Sequence, residues 1–353
     1  MKGKLFLGVS LLALTLASCN EDEQVAINQG RGISFRTAIN NPMTRATDLT
    51  TDNLKDNGGF YVYGFEANGG KLIENAHFTS TDGTTWNEEN GKTYFYPTDG
   101  STVNFFAYAP SLNPAPTCTA TQFSVEFTPE TTMNTQKDFV FGTATGNNTN
   151  ADAGVQLTLD HKLSKIQIKA KNTNTEYEYK VKGVRIAANK NKGTFTYESQ
   201  QKEEWSTDNG SHGVYEVTFN SEKILSADPQ IILEKDNDSF LLVPQQLVGW
   251  DSKNDKTNNN KGAYISVKIT ITAKTSDKKI VEDKWVAVPV DTEWNMKHKY
   301  IYTLDFSNGA GVIDPTDPDN PGEPVLGKAI EFTVNVGEWT DVNTDVDMDN
   351  NGN

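Results

Sequence analysis

Apolar residues alternate with polar ones over short runs, and this pattern limits the fold of the chain more than any other feature. Period-two runs bounded by Gly, Asn, Asp and Pro predict half-buried β-strands. β-Branched and aromatic residues dominate them, and no stretch keeps a helical apolar period over three turns. The sequence therefore predicts an all-β protein. The clearest runs are Phe60/Val62, Val103/Phe105/Ala107, Val155/Leu157/Leu159, Val214/Val217/Phe219, Ile265/Val267/Ile269/Ile271 and Tyr300/Tyr302/Leu304/Phe306.

The length of 353 residues leaves room for two ordinary domains. Segment 142–154 is rich in Gly, Asn, Thr and Asp, and we predict the boundary between a first domain, 46–150, and a second, 151–313, within it. Shortly after it, between Leu163 and Ile166, the apolar phase shifts by one residue. That shift predicts a bulge or a strand that changes sheets.

The N-terminus carries a signal for export. Two lysines precede a short apolar run, which ends in Leu16-Ala17-Ser18-Cys19. The run is shorter than the roughly 20 apolar residues needed to span a bilayer, so residues 1–18 are predicted to be a lipoprotein signal with lipidation at Cys19. The alternative is an ordinary secretory signal. If Cys19 is lipidated, Cys118 is the one remaining cysteine and no intramolecular disulfide can form.

The net charge is −15 and the calculated pI is about 4.8, with no Lys/Arg-rich stripe among the aromatic residues. Nucleic acid is therefore not expected as a partner.

A proline-rich segment precedes the last apolar strand. Pro315, Pro318, Pro321 and Pro324 recur at every third position, which is the polyproline II period. Segment 314–324 is therefore predicted to be a semi-rigid spacer that holds the next strand on the order of 30 Å from the body. In that strand apolar and polar residues alternate strictly from Ile330 to Val336. The strand belongs to a terminal segment, 325–353, that ends in an acidic tail. An isolated apolar strand needs a sheet to join.

No constellation for catalysis, metal or cofactor binding stands out, and we predict a non-enzyme without a cofactor. The four histidines (His77, His161, His212 and His298) do not have zinc-site spacing, and His161 is interpreted as a packed, hydrogen-bonded strand residue. The tail Asp345-Val346-Asp347-Met348-Asp349 has calcium-loop spacing but lacks the glycine and the final glutamate of such loops. Trp86, Trp205, Trp250 and Trp285 are candidates for sugar stacking or for core positions.

Thr44-Arg45-Ala46 lies in a polar segment that a protease can thread. Cleavage after Arg45 would leave Ala46 as the first residue. The alternative is a solvated linker arginine.

The chain resembles the fimbrillin family, the type V pilins that Gram-negative bacteria export as lipoproteins. Several motifs support the resemblance. Each has low specificity by itself, but their order along nearly the whole chain is specific. Besides the cysteine and arginine segments above, these motifs are Gly32-Ile33-Ser34-Phe35-Arg36, Phe60-Tyr61-Val62-Tyr63-Gly64-Phe65, Phe105-Phe106-Ala107-Tyr108-Ala109-Pro110, Asp160-His161-Lys162-Leu163-Ser164-Lys165-Ile166, Leu242-Val243-Pro244-Gln245 and Lys299-Tyr300-Ile301-Tyr302-Thr303-Leu304.

The resemblance implies two tandem β-sandwich domains of transthyretin-like topology, with a leader, 19–45, that an arginine-specific protease removes. Ile33 and Phe35 would form a placeholder strand in the leader. Loss of the leader would open a groove for the C-terminal strand of a neighbouring subunit. The donor residues would be Ile330, Phe332, Val334 and Val336, and Ile330-x-Phe332 repeats the Ile33-x-Phe35 pattern.

The implied function is a structural subunit of a surface fimbria that supports adhesion and biofilm formation. Its partners would be other fimbrial subunits, the protease and, before processing, the outer membrane through the lipid. Three alternatives stay open: a fimbrial tip subunit, a permanently anchored glycan-binding lipoprotein, and a hydrolase for which no residues can be nominated. Arg36 is also an alternative processing point.

Overall fold

The computed structural model describes residues 31–40, 48–199, 202–233 and 238–339. Within these residues the chain forms strands and two short 3-10 turns, Met133–Thr135 and Asn148–Asn150. The prediction of an all-β protein is confirmed. The strands are β1 (Phe35–Ile39), β2 (Phe60–Glu66), β3 (Lys71–Thr79), β4 (Asn87–Glu88), β5 (Val103–Ala109), β6 (Thr117–Cys118), β7 (Gln122–Phe127), β8 (Val140–Gly146), β9 (Val155–His161), β10 (Ser164–Lys171), β11 (Tyr177–Ala188), β12 (Gly193–Glu198), β13 (Lys202–Ser206), β14 (Gly213–Ile224), β15 (Gln230–Ile231), β16 (Phe240–Leu242), β17 (Gln245–Gln246), β18 (Tyr264–Ala273), β19 (Lys278–Pro289), β20 (Glu293–Trp294), β21 (His298–Asp305), β22 (Val312–Ile313) and β23 (Glu331–Glu338).

The first sheet has seven strands in the order β1-β9-β8-β5-β2-β3-β4. Its inner face buries a cluster that includes Phe35, Phe60, Phe105 and Leu157. Because β9 is paired with both β1 and β8, the sheet continues to His161. The predicted boundary at residue 150 therefore cuts the sheet, since the polar segment before β9 is a loop within one sheet. The number of domains remains a prediction.

The chain changes sheets directly after β9. β9 ends at His161 in the first sheet, and β10 starts at Ser164 in another, where it pairs in parallel with β21. This change accounts for the shift in apolar phase between Leu163 and Ile166, and the prediction of a strand that changes sheets is confirmed.

Two five-stranded sheets form a sandwich in the C-terminal half. One has the order β15-β10-β21-β23, with β16 also paired to β10, and the other has the order β14-β11-β18-β19-β22. Side chains from both sheets share one hydrophobic cluster, for example Ile168 and Tyr302 of the first and Val184 and Ile269 of the second. Period-two alternation lets each strand bury one face in this cluster.

A further sheet joins the two halves of the chain. It has the order β13-β12-β7-β6, so β7 from the N-terminal half pairs with β12 from the C-terminal half. Behind it, an aromatic cluster includes Phe123, Phe141, Phe195 and Trp339. The C-terminal end of the described chain therefore packs with residues from the first half.

The proline-rich segment does not extend away from the body, so the prediction of a 30 Å spacer is wrong. Its two ends meet: Ile313 N–H donates to Glu323 O at 2.8 Å, and Val312 forms a bridge with Pro324. The Asp314 carboxylate is fully buried and accepts from Arg185 at 3.1 Å. Ion pairs and turns that the aspartates form with the sandwich outweigh the polyproline II preference of the four prolines.

No helix in the described part of the chain has the length and apolar character needed to cross a membrane.

Candidate functional site

The leader strand closes a slot at the edge of the first sheet. On one side β1 pairs in parallel with β9, from Phe35 opposite Val155 to Ile39 opposite Leu159. The ladder is extended at both ends, where Val155 N–H donates to Ser34 O at 2.8 Å and Asn40 N–H donates to Leu159 O at 3.0 Å. The leader thus provides hydrogen-bond partners for the backbone groups at the outer edge of β9.

The other side of the leader pairs with a second segment of the body. Ile33 N–H donates to Tyr94 O at 2.8 Å, and Tyr96 N–H donates to Arg31 O at 3.0 Å. Buried backbone donors and acceptors need partners. Removal of the leader would therefore leave unpaired backbone groups on both walls of the slot, and a new strand could satisfy them.

Four leader side chains point into the slot at every second position. Ile33, Phe35 and Ile39 are 9%, 3% and 5% exposed, and Thr37 lies between them on the same face. The Phe35 ring contacts three phenylalanines edge-on, with centroid distances of 6.1 Å to Phe60, 5.0 Å to Phe78 and 5.2 Å to Phe105. Aromatic pairs of this geometry add to the free energy of burial. Ile33 and Phe35 could be predicted from the Ile-x-Phe pattern. Thr37 and Ile39 were not predicted, although they continue the same alternation.

The hydroxyl of Thr37 is buried and has no hydrogen-bond partner among the residues that the structure describes. An unpaired buried hydroxyl costs free energy that an apolar group of the same shape does not. The leader is therefore imperfectly matched to its slot at this one position.

The C-terminal strand β23 forms the edge of the sheet that contains β21. The two strands pair antiparallel, from Glu331 opposite Asp305 to Glu338 opposite His298. Ile330 and Trp339 flank the strand and are 4% and 3% exposed. The three other predicted donor residues are half-buried against the sandwich core: Phe332, Val334 and Val336. The strand is thus anchored most firmly at its two ends.

Trp339 holds one end of this strand against the N-terminal half of the chain. Its indole stacks on the imidazole of His161 with ring centroids 4.1 Å apart, and its backbone N–H donates to Lys297 O at 2.6 Å. The indole Nε1–H lies 3.4 Å from Asp48 Oδ2, and Lys165 Nζ is 5.5 Å from the ring centroid.

The charges around Trp339 are buried and paired. Lys165 forms an ion pair with Asp48, and His161 Nδ1 lies 2.6 Å from Asp138 Oδ2. Burial raises the pKa of the Asp48 carboxyl, while Lys165 opposes that rise. The prediction of a packed, hydrogen-bonded His161 is confirmed. Asp48 and Lys165 were not predicted as site residues, because nothing in the sequence around a charged residue indicates that it is buried against a distant partner.

Asp160 connects the leader to the segment that precedes β21. Its carboxylate accepts from Asn40 Nδ2 at 2.7 Å and from Lys297 Nζ at 2.9 Å. Burial opposes ionisation of Asp160, but these hydrogen bonds and the nearby lysines hold its pKa below the usual value. Because Lys297 also accepts from Trp339, the end of the leader and the end of β23 share one network.

Three predicted site residues, Cys19, Arg45 and Ala46, lie outside the described residues. The described residues that flank Arg45 are Asn40 and Asp48, and both belong to the network around Trp339. Arg36, the alternative processing point, lies within β1 and is exposed.

The four tryptophans considered for sugar stacking are buried or in contact with other groups of the protein. Trp86 and Trp250 are 6% and 2% exposed. Trp205 Nε1–H donates to Lys162 O at 2.8 Å, and the Arg185 guanidinium covers Trp285 at 4.2 Å from the ring centroid. No group of three or more potential metal ligands occurs among the residues the structure describes.

Comparisons with known proteins identify the family of this chain. The model of the fimbrillin-like family matches residues 44–339. The fimbrium subunit Fim1C of Phocaeicola vulgatus is 30% identical over 112 residues, which are 28% of this chain and 29% of that protein. The chain thus spans less than a third of the length of this curated relative.

Two solved structures are also similar to this chain. A Bacteroides ovatus protein described as a cell adhesion protein is 15% identical, with a TM-score of 0.49, and covers 88% of this chain and 98% of its own. The fimbrial anchor protein Mfa2 of Porphyromonas gingivalis is 10% identical, with a TM-score of 0.31, and covers 87% of this chain and 98% of its own. Both scores are low, so the assignment rests on the family model, which matches most of the chain. The chain belongs to the fimbrillin-like family.

Proposed function

We propose that this protein is a structural subunit of a surface fimbria that polymerises by β-strand exchange. The observation that supports this most is the leader strand, which is paired on both sides and yet is joined to the body through the segment that contains Arg45. Export as a lipoprotein anchored through Cys19 to the outer membrane, and cleavage by an arginine-specific protease, belong to the same proposal.

Cleavage after Arg45 would convert the leader from a covalently attached strand into a bound peptide. The uncleaved chain would stay capped, because Ile33 and Phe35 fill the slot and the ladder on β9 is complete. After cleavage, the leader could dissociate and expose an apolar slot with free backbone groups. A neighbouring subunit would then supply a strand.

The C-terminal strand is the proposed donor. It lies at a sheet edge and is paired on one side by β21, so its release breaks one ladder. Ile330, Phe332, Val334 and Val336 present an apolar face of the kind the slot holds.

A fimbrial tip subunit is the second candidate, since β23 is docked on its own sheet with Trp339 buried. A tip subunit would accept a strand without giving one. A permanently anchored glycan-binding protein has less support, because the four candidate tryptophans are buried, hydrogen-bonded or covered.

The deciding experiment is mass spectrometry of the protein sheared from the cell surface, compared with the Arg45→Ala and Arg36→Ala variants. We expect a start at Ala46, multimers from wild type and Arg36→Ala, and an unprocessed lipid-anchored monomer from Arg45→Ala. Normal multimers from Arg45→Ala would contradict the processing site. A processed protein found once per filament would favour the tip subunit, and a lipidated start at Cys19 with nothing in the sheared fraction would favour the anchored protein.

A further inference from the structure

We propose that the slot accepts the C-terminal strand of a second copy of this chain in one register, and that Thr37 makes the leader the weaker occupant. In this register Ile330 takes the place of Ile33 and Phe332 that of Phe35. Val334 then replaces Thr37, and Val336 replaces Ile39. This inference rests on the proposed strand exchange and specifies its partner, direction and register.

The inward-facing positions of the two strands match one by one. Leader residues 33, 35, 37 and 39 face the slot and read Ile, Phe, Thr and Ile. Residues 330, 332, 334 and 336 read Ile, Phe, Val and Val at the same spacing. Because successive side chains of a strand point to opposite faces, all four apolar side chains of the donor would enter the slot together.

The aromatic position fixes the direction of the strand. The pocket formed by Phe60, Phe78 and Phe105 is filled by the ring of Phe35. In the reverse direction over the same four positions, Val334 would enter that pocket and leave a cavity, while Phe332 would be forced into the site of Thr37. Both a cavity and an oversized side chain are costly in a packed core. The donor should therefore run parallel to β9, as the leader does.

The residues just before the match also fit the same register. Ala329 would replace Gly32, and a Cβ added at Gly32 would meet Thr93 Cγ2 at 3.9 Å, an ordinary contact. Lys328 would replace Arg31, whose guanidinium pairs with Asp152 at 3.0 Å. The exchange would thus keep a cation opposite Asp152.

The donor strand would fit the slot better than the leader at one inward position, that of Thr37, where it has an apolar side chain. The Thr37 hydroxyl is buried and has no partner in the described part of the chain, whereas the valine that would replace this residue has nearly the same shape and no polar atom. Removal of an unpaired buried hydroxyl favours the valine-bearing strand. We infer that this difference makes the slot bind the donor strand more tightly than the leader, and that it promotes release of the processed leader.

Disulfide trapping between two copies tests the register. The acceptor carries Gln156→Cys and an engineered protease site within residues 41–47, so that its leader can be removed independently of Arg45. The donor keeps its leader and carries Thr333→Cys, which would lie opposite Gln156 because Thr333 would replace Arg36. Both chains carry Cys19→Ser, and Cys118 is retained because it is buried. The matched control donor carries Asn335→Cys, two residues out of register. A second acceptor with Thr158→Cys tests the direction, because it would face Asn335→Cys in the proposed direction and Glu331→Cys in the reverse one. A dimer with Glu331→Cys instead of Asn335→Cys would overturn the direction.

We expect a covalent dimer with Thr333→Cys after leader removal and at least tenfold less with Asn335→Cys. A dimer of equal yield with both donors, or a preference for Asn335→Cys, would overturn the register while leaving strand exchange intact. No dimer with either donor would overturn strand exchange itself, together with the register.

A second measurement tests the role of Thr37 with the labelled leader bound to the cleaved acceptor. Thr37→Val should slow leader release on the order of tenfold, and Val334→Thr should weaken donor uptake to a similar extent. Thr333→Val, the same type of change at an exposed donor position, should leave uptake unchanged. Release and uptake that do not respond to Thr37→Val and Val334→Thr would overturn the proposed role of Thr37.

Discussion

Trp339 lies flat on His161, with ring centroids 4.1 Å apart and ring planes inclined by 14°. His161 ends β9, the strand that pairs with the leader, while Trp339 directly follows β23, the proposed donor. The edge that holds the leader and the end of the donor strand therefore meet at one contact. Any exchange that frees the donor must first separate these two rings.

Replacement of Trp339 by alanine should release this end of the C-terminal strand. The side chain is 3% exposed, and truncation of a buried aromatic residue of this size costs about 3–5 kcal/mol. We expect faster hydrogen exchange at residues 331–338 and a lower Tm, with a smaller effect for Trp339→Phe. Trp285→Ala, in the opposite sheet, is the control. Unchanged exchange in β23 would show that the β21 ladder alone holds the strand.

Loss of one partner of the Asp48–Lys165 ion pair should destabilise the folded protein far more than loss of both partners. Asp48→Ala leaves the Lys165 ammonium, which is 3% exposed, without its partner and should cost about 3–5 kcal/mol of unfolding free energy. The double variant Asp48→Leu/Lys165→Met should recover much of that loss in urea denaturation.

The control is Glu204→Ala, which breaks the exposed pair between Lys202 and Glu204 and should change the free energy by less than about 1 kcal/mol. If Asp48→Ala were as mild as Glu204→Ala, the buried pair would not stabilise the folded protein.

Most of the strands could be predicted from the sequence, because alternation of apolar side chains is a local property. The strand change after His161 could also be predicted, since Leu163 breaks the phase of the preceding run. The path of the proline-rich segment could not: Asp314 turns it back through a buried contact with Arg185, which lies far away in sequence. The position of β23 likewise depends on Trp339, whose partners His161 and Asp48 come from the N-terminal half.

Phe35 should determine how long the leader stays bound after cleavage. Phe35→Ala removes a ring that contacts three phenylalanines and should weaken leader binding by about 3–5 kcal/mol. The processed variant should lose its leader faster, as measured by gel filtration of the cleaved protein with a labelled leader. Ser34→Ala, at the exposed neighbouring position, should behave as wild type. Equal leader release from both variants would contradict the placeholder role of Phe35.

The contribution of Lys162 to the unfolding free energy should become more favourable as the solution becomes alkaline. Burial, opposed by Glu203, lowers the pKa of its ammonium from 10.5 to about 8, and the side chain is 0% exposed. Between these two pH values the folded protein binds fewer protons at this site than the unfolded chain does, so this contribution to the unfolding free energy rises with pH.

The increase should approach about 1.4 kcal/mol per pH unit within that window. Buried tyrosines such as Tyr215, whose pKa burial raises, act in the opposite direction above pH 10. The quantity to measure is therefore the difference in unfolding free energy between wild type and Lys162→Met, by urea denaturation at pH 8, 9 and 10. A difference that stays constant over this range would show that Lys162 keeps an ordinary pKa in the folded protein.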